Sequence, residues 1–82
     1  MENLSNNFEQ REREIDILIE SLAEKEGMLL DDILSDIVVF APYEGNEYAN
    51  PDYIEEVAER IGISHEEMTI YAIKKAQEYL SE

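Results

Sequence analysis

Eighty-two residues carry 21 Asp or Glu against 6 Lys or Arg, a formal charge of −15. That balance excludes a conventional DNA or RNA binder, whose affinity comes mostly from Lys and Arg neutralising phosphates, and the length allows one small domain. Hydrophobic residues make up 44%, too many for an acidic disordered tail, so the chain is expected to fold.

Residues 1–7 are polar, with one Ser and three Asn. They read as a flexible N-terminal arm in which Asn6 or Asn7 caps a helix. Residues 8–82 then form a single acidic helical domain. Helical spacing begins at Phe8: Ile15, Leu18, Ile19 and Leu22 fall at i, i+3, i+4 and i+7. The acids Asp16, Glu20 and Glu24 run four apart along another face, with Glu9 and Glu12 ahead of them. Gly27 is placed to end this helix in a left-handed conformation.

A second helix is expected over Leu30 to Phe40, carrying Ile33, Leu34, Ile37 and Val38, although the run Ile37–Phe40 also suits a short strand. Pro42 stops it, and residues 41–50 form a loop without periodicity. Asn50-Pro51 opens a third helix, the Asn as cap and the Pro in the first turn. It holds Ile54, Val57, Ala58 and Ile61 and ends at Gly62. Ser64 and Glu67, three apart, start the fourth helix as a capping box, and Met68, Tyr71, Ala72, Lys75, Tyr79 and Leu80 complete it. The expected fold is all-α: a small four-helix domain made of two helix–turn–helix-like hairpins.

Shifting the chain by 35 residues lays Ile19–Met28 over Ile54–Ile63 and Asp31-Asp32-Ile33 over Glu66-Glu67-Met68. Of the 23 pairs from Ile19/Ile54 to Ala41/Ala76, six are identical and seven more are similar. Each copy reads as helix, glycine turn, apolar residue, then a second helix opened by two acids. Any pair of helical hairpins with a glycine stop would repeat some of these choices.

The spacing Val57, Ala58, Ile61, Gly62, Ile63, Met68 resembles the helix–turn–helix of DNA-binding domains. There the start of the second helix reads base edges. Here that start holds Ser64, His65, Glu66, Glu67 and Thr69, whose carboxylates phosphates would repel, with Lys74 and Lys75 standing alone. The motif is expected to be structural, with no direct nucleic-acid contact.

Nothing in the sequence composes an active site, so no enzyme is expected. The single His65 reads as a solvated surface residue, and adjacent acids such as Asp31-Asp32, Glu55-Glu56 and Glu66-Glu67 diverge by about 100° on a helix. The loop Tyr43–Asp52 lacks the ligand pattern of a calcium loop. Isolated turn glycines make no phosphate cradle. Neither cofactor nor metal is expected, and the lack of cysteine excludes disulfides and thiolate metal sites. The longest apolar run, Ile37–Ala41, falls far short of the ~20 residues of a membrane span. No secretion signal is visible at the N-terminus. A soluble, cytoplasmic protein without membrane contact is expected.

A binding role has two carriers. Helical residues four apart rise about 6 Å, so the acids from Glu9 to Glu24 would form a carboxylate row that imitates phosphates. A second row from Asp52 to Glu67, with Asp52, Glu55, Glu56, Glu59, Glu66 and Glu67, and the pair Asp31 and Asp32 would add to the attraction. The second carrier is the tyrosine group Tyr43, Tyr48 and Tyr53, interleaved with Glu44 and Glu47. Tyr is enriched among interface anchors, although these rings also suit covering a small core.

From Glu14 to Leu80 the chain resembles the small acidic late-transcription coactivators of tailed phages. Carrying the resemblance are Ile15, Leu18, Ile19, Leu22, the turn Gly27-Met28, Asp32-Ile33, Tyr53–Ala58 and Ala76–Leu80. In composition alone it is also similar to phage-encoded DNA mimics. The resemblance implies a non-enzymatic protein in the bacterial host cell that docks on RNA polymerase and modulates transcription. The resulting expectation is an acidic protein that binds a basic surface of nucleic-acid machinery, RNA polymerase first. The alternatives are a mimic that inhibits another DNA-binding protein or nuclease, and a helical homodimer joined along Met28-Leu29-Leu30.

Overall fold

The computed structural model describes the backbone of residues 4–81 and the side chains of residues 8–81. Four helices follow in order: α1 Leu4–Glu26, α2 Leu30–Phe40, α3 Pro51–Ile61 and α4 His65–Leu80. The domain is all-α, two helix–turn–helix-like hairpins around one core, with no strand among the described residues. The run Ile37–Phe40 is the last turn of α2. It ends there because Ala41, which precedes Pro42, is forced into an extended conformation (φ −60°, ψ 134°).

One boundary differs from the sequence reading. Helix α1 already includes Leu4–Asn7, so Asn6 and Asn7 lie within it and do not cap it. Once the amphipathic segment beyond Phe8 has nucleated, adding a turn of poor helix formers costs little. The remainder of the expected arm, residues 1–3, lies outside the described residues.

Both hairpins turn in the same way. Gly27 and Gly62 adopt positive φ, 69° and 82°. The Ala23 carbonyl accepts from the Met28 N–H at 2.8 Å, and the Ala58 carbonyl from the Ile63 N–H at 3.0 Å. These are Schellman-type closures that satisfy the last free carbonyls of α1 and α3. The Asn50 cap forms as expected, its side chain accepting from Tyr53 N–H. Of the expected capping box only the Ser64 half forms, accepting from Glu67 N–H, because both Glu67 carboxylate oxygens accept from Arg11. Leu29 holds the corresponding place before α2 with no side-chain cap.

The core follows the 35-residue repeat. Ile19 and Ile54, Ala23 and Ala58, Ile33 and Met68, Ile37 and Ala72, and Ala41 and Ala76 are all buried. Ile15, Val57 and Tyr71 complete it. The equivalence therefore reaches past the glycine turn into packing: each hairpin offers its residues at the same register, and the two sets interdigitate. Burying large aliphatic side chains such as these stabilises by about 1.5–3 kcal/mol each.

The connection between hairpins is held by one residue that periodicity does not reveal. Asn46 donates to the carbonyls of Val39 (2.9 Å) and Ala41 (2.6 Å), while its side-chain oxygen accepts from the Tyr48 N–H (3.0 Å). The Asn50 N–H donates to the Phe40 carbonyl at 2.9 Å, closing the loop back onto α2.

Candidate functional site: the acidic surface and its internal cations

The distribution of unpaired carboxylates is decided by where the few cations go. Lys75, on α4, faces α1 with its side chain 13% exposed. It lies 3.0 Å from Glu12 and 3.3 Å from Asp16. Asp16 also accepts from the Tyr71 hydroxyl. Lys74 reaches Glu78 at 3.0 Å and Glu12 at 3.6 Å. Helices α1 and α4 thus meet along a polar seam, with Lys75 lying 5.5 Å from the Tyr71 ring centroid. No buried side-chain nitrogen or oxygen among the described residues lacks a partner.

The seam perturbs its members in directions that follow from its geometry. Burial would lower the Lys75 pKa, but the Glu12 and Asp16 carboxylates outweigh it and raise the value above the ordinary lysine range. Burial raises the Tyr71 hydroxyl, and Asp16, which accepts its proton, raises it further. Burial would raise Glu78 too, yet Lys74 and Lys75 hold it below the usual carboxylate range.

Two arginines staple the hairpins elsewhere. Arg11 on α1 donates to both carboxylate oxygens of Glu67 on α4, at 2.8 and 3.0 Å, and to Glu14 at 2.8 Å. The Arg11 hydrogen bonds hold the Glu67 carboxyl below its usual range. Arg60 on α3 bridges Glu26 at the end of α1 (2.5 Å) and Glu56 (2.9 Å). It lines a cleft of about 170 Å³ among Leu22, Met28, Ile33, Tyr53 and Val57, with Glu26, Asp36 and Glu56 beside it. Burial raises the Tyr53 hydroxyl there, helped by Asp36 and Glu56.

These contacts correct several sequence expectations. Lys74 and Lys75 do not stand alone. Glu12 is buried, at 8% exposure, and Asp16 is hydrogen-bonded, so no continuous row of free carboxylates runs from Glu9 to Glu24. Glu56 and Glu67 are likewise paired. The remaining expected acids, Glu9, Glu20, Glu24, Asp31, Asp32, Glu44, Glu47, Asp52, Glu55, Glu59 and Glu66, are exposed. None of them forms an ion pair among the described residues. They lie on all four helices and the loop, without a single line.

The tyrosines separate as well. Tyr53 packs edge-on against Phe40, ring centroids 5.1 Å apart, and Tyr43 packs against the core. Tyr48 alone of the three is exposed, at 66%. The aromatic anchor expected from the loop therefore reduces to one ring. His65 is exposed in the first turn of α4.

Sequence reasoning missed Arg11, Arg60, Lys74 and Lys75 as organisers of the surface. The available signal was their scarcity: with so many acids, each cation had several partners to choose from. Glu14, Glu56 and Glu78 lie three or four residues from these cations, within helical spacing, but the partners on other helices lie 34 to 63 residues away, beyond its reach. No group of three or more His, Cys, Asp or Glu among the described residues is arranged to hold a metal ion, and no described helix is long and apolar enough to cross a membrane. Comparison with protein families, curated proteins and solved structures finds no match to this chain.

Proposed function

We propose that this chain is a non-catalytic, acidic interaction protein that binds a basic surface of nucleic-acid machinery, with RNA polymerase as the first candidate. One observation supports this most: Arg11, Arg60, Lys74 and Lys75 are consumed by internal ion pairs, while exposed carboxylates without a pair stand on every helix. Such a surface repels phosphate and anionic lipid headgroups and attracts lysine- and arginine-lined channels, raising association rates. Since Glu12 and Asp16 leave the α1 row, the reading rests on the sign and density of charge and not on a phosphate-like line.

The test is binding of the fluorescently labelled chain to purified bacterial RNA polymerase, followed by anisotropy across a salt series and against duplex DNA. The expected result is binding at low salt that is largely lost by about 0.5 M, where screening falls within a few ångströms, together with competition by DNA. Binding unchanged by salt, or none at low salt to polymerase or to any other DNA-binding protein, overturns the reading.

A further inference from the structure

The two hairpins share their core register, so a position where they differ in chemistry without need reports something other than folding. The largest such difference lies at the start of the second helix of each. Ser64 caps α4, whereas Leu29 occupies the same place before α2 with nearly the same backbone (φ −77°, ψ 138° against φ −72°, ψ 155°). Leucine supplies no acceptor for the free amides and is among the poorest residues at this position. It is nevertheless 70% exposed. Ile17 on α1 is 63% exposed, where the 35-residue equivalent is the charged Asp52. The fold accepts a polar residue at the Leu29 place, as Ser64 demonstrates, whereas Asp52 stands in the first turn of α3 and Ile17 in the middle of α1.

Ile17 lies in a shallow groove between α1 and α2, of about 220 Å³, with Leu30 and Leu34 as its other apolar walls and Asp16, Glu20 and Lys75 around them. Their 35-residue equivalents, His65 and Thr69, are again polar. Lys75 is neutralised by Glu12 and Asp16. Among the lining residues that leaves Glu20, exposed and without an ion pair among the described residues, to set the sign of the groove, with Asp31 next to Leu30 on α2; the exposed Arg13, one turn before Ile17, lies outside the lining. A second copy carries the same −15 charge and would bring like charges together over a small apolar contact. The complementary occupant is cationic with apolar side chains on one face.

We infer that the α1–α2 groove, with Ile17, Leu30 and Leu34 as its apolar walls and Leu29 beside it, is the docking surface for a lysine- or arginine-rich amphipathic helix of a partner protein. Apolar side chains at i and i+3 or i+4 of such a helix enter the groove while its cations face Glu20 and Asp31. The inference rests on the acidic-interaction reading above and specifies where the partner sits. By contrast, the cleft near Tyr53 already holds an internal cation, Arg60.

The probe is a short helical peptide with Leu on one face and Lys on the other, with a scrambled peptide of the same composition as control. Binding to the full chain is measured by titration calorimetry. The double variant Ile17→Asp, Leu29→Ser transplants the second hairpin's residues, and its fold is checked by circular dichroism. The expected result is preferential binding of the amphipathic peptide and at least about tenfold weaker binding by the variant, consistent with loss of one buried aliphatic contact. Because Ile17→Asp adds a negative charge, attraction by charge alone would tighten, so equal or tighter binding overturns the groove while leaving the acidic reading intact. No binding of either peptide at low salt overturns both. Methyl chemical shifts of Ile17, Leu30 and Leu34 in the unmutated chain provide a readout independent of the variant's folding: movement of these signals supports the groove, and movement confined elsewhere overturns it. A stable homodimer at micromolar concentration that the double variant dissolves assigns the surface to a second copy and also overturns the inference.

Discussion

The first hairpin and the second share most of their buried register, with Tyr71 buried where the first has the exposed Asp36, and they diverge on their outward faces. Both bury the same register of aliphatic and alanine positions, and both close through a left-handed glycine with a backbone bond to an alanine carbonyl. Their outward residues diverge: Leu29 and Leu30 against Ser64 and His65, Ile17 against Asp52. The shared positions are those for which packing and backbone geometry leave few options. The divergent ones are free of that constraint, so their chemistry carries information about what lies outside the molecule.

Paired substitutions test how deep the equivalence runs. Ile19→Ala and Ile54→Ala should each cost about 3 kcal/mol, since each removes a fully buried side chain and leaves a cavity. For a domain of this size, whose total stability is about 4–12 kcal/mol, urea midpoints should drop severely in both variants. A large loss in one and little in the other would break the correspondence between hairpins.

At the turns, Gly27→Ala and Gly62→Ala should each cost about 1–2 kcal/mol from the left-handed backbone. An added Cβ would meet nothing within 4 Å at either place, so sterics with neighbours contribute little and the two losses should agree. Thermal melts measure both. Unequal values would mean that one turn is strained by its surroundings.

The caps should behave oppositely. Ser64→Ala should destabilise by about 1 kcal/mol, and Leu29→Ser should stabilise by a similar or smaller amount, because its backbone already has the cap conformation. If Leu29→Ser instead destabilises in the isolated protein, Leu29 serves the fold and its exposure says nothing about a partner.

The smallest effect concerns the polar seam, which only the second hairpin's α4 makes with α1. The Tyr71 pKa is raised in the folded state, so its neutral hydroxyl contributes stability that is fully present below the ordinary tyrosine value near 10. That contribution is lost as pH rises toward the folded value, because the unfolded chain ionises first. The stability difference between the natural chain and Tyr71→Phe should therefore be constant from pH 6 to about pH 9 and shrink above about pH 10. A difference that does not change with pH would show that the hydroxyl titrates alike in the folded and unfolded chain, so that neither its burial nor the bond to Asp16 shifts it.

Much of this was legible from spacing. The helix ends at Gly27, Phe40, Gly62 and Ser64, the Asn50 cap and the core positions Ile15, Ile19, Ile33, Ile37, Ile54 and Val57 all follow from periodicity and turn chemistry, which act within a few residues. The N-terminal boundary is not legible in the same way, because Asn-rich sequence is a weak stop once a helix is under way. The fate of the α1 acids is hidden for a different reason. Asp16, Glu20 and Glu24 are indistinguishable as a four-spaced series until α4 is laid across α1, when Tyr71 and Lys75 take Asp16 and leave the others.

The sequence by itself determined four helices, their turns, the apolar register and a strong excess of negative charge, because each depends on local backbone preference or on simple counting. Only the tertiary structure decided which acids are spent and which are available. That choice depends on long side chains meeting from helices far apart in the chain, where a cation and a carboxylate lower each other's cost of leaving water. It also revealed that the exposed apolar residues of the first hairpin lie beside acids, a juxtaposition no linear pattern contains.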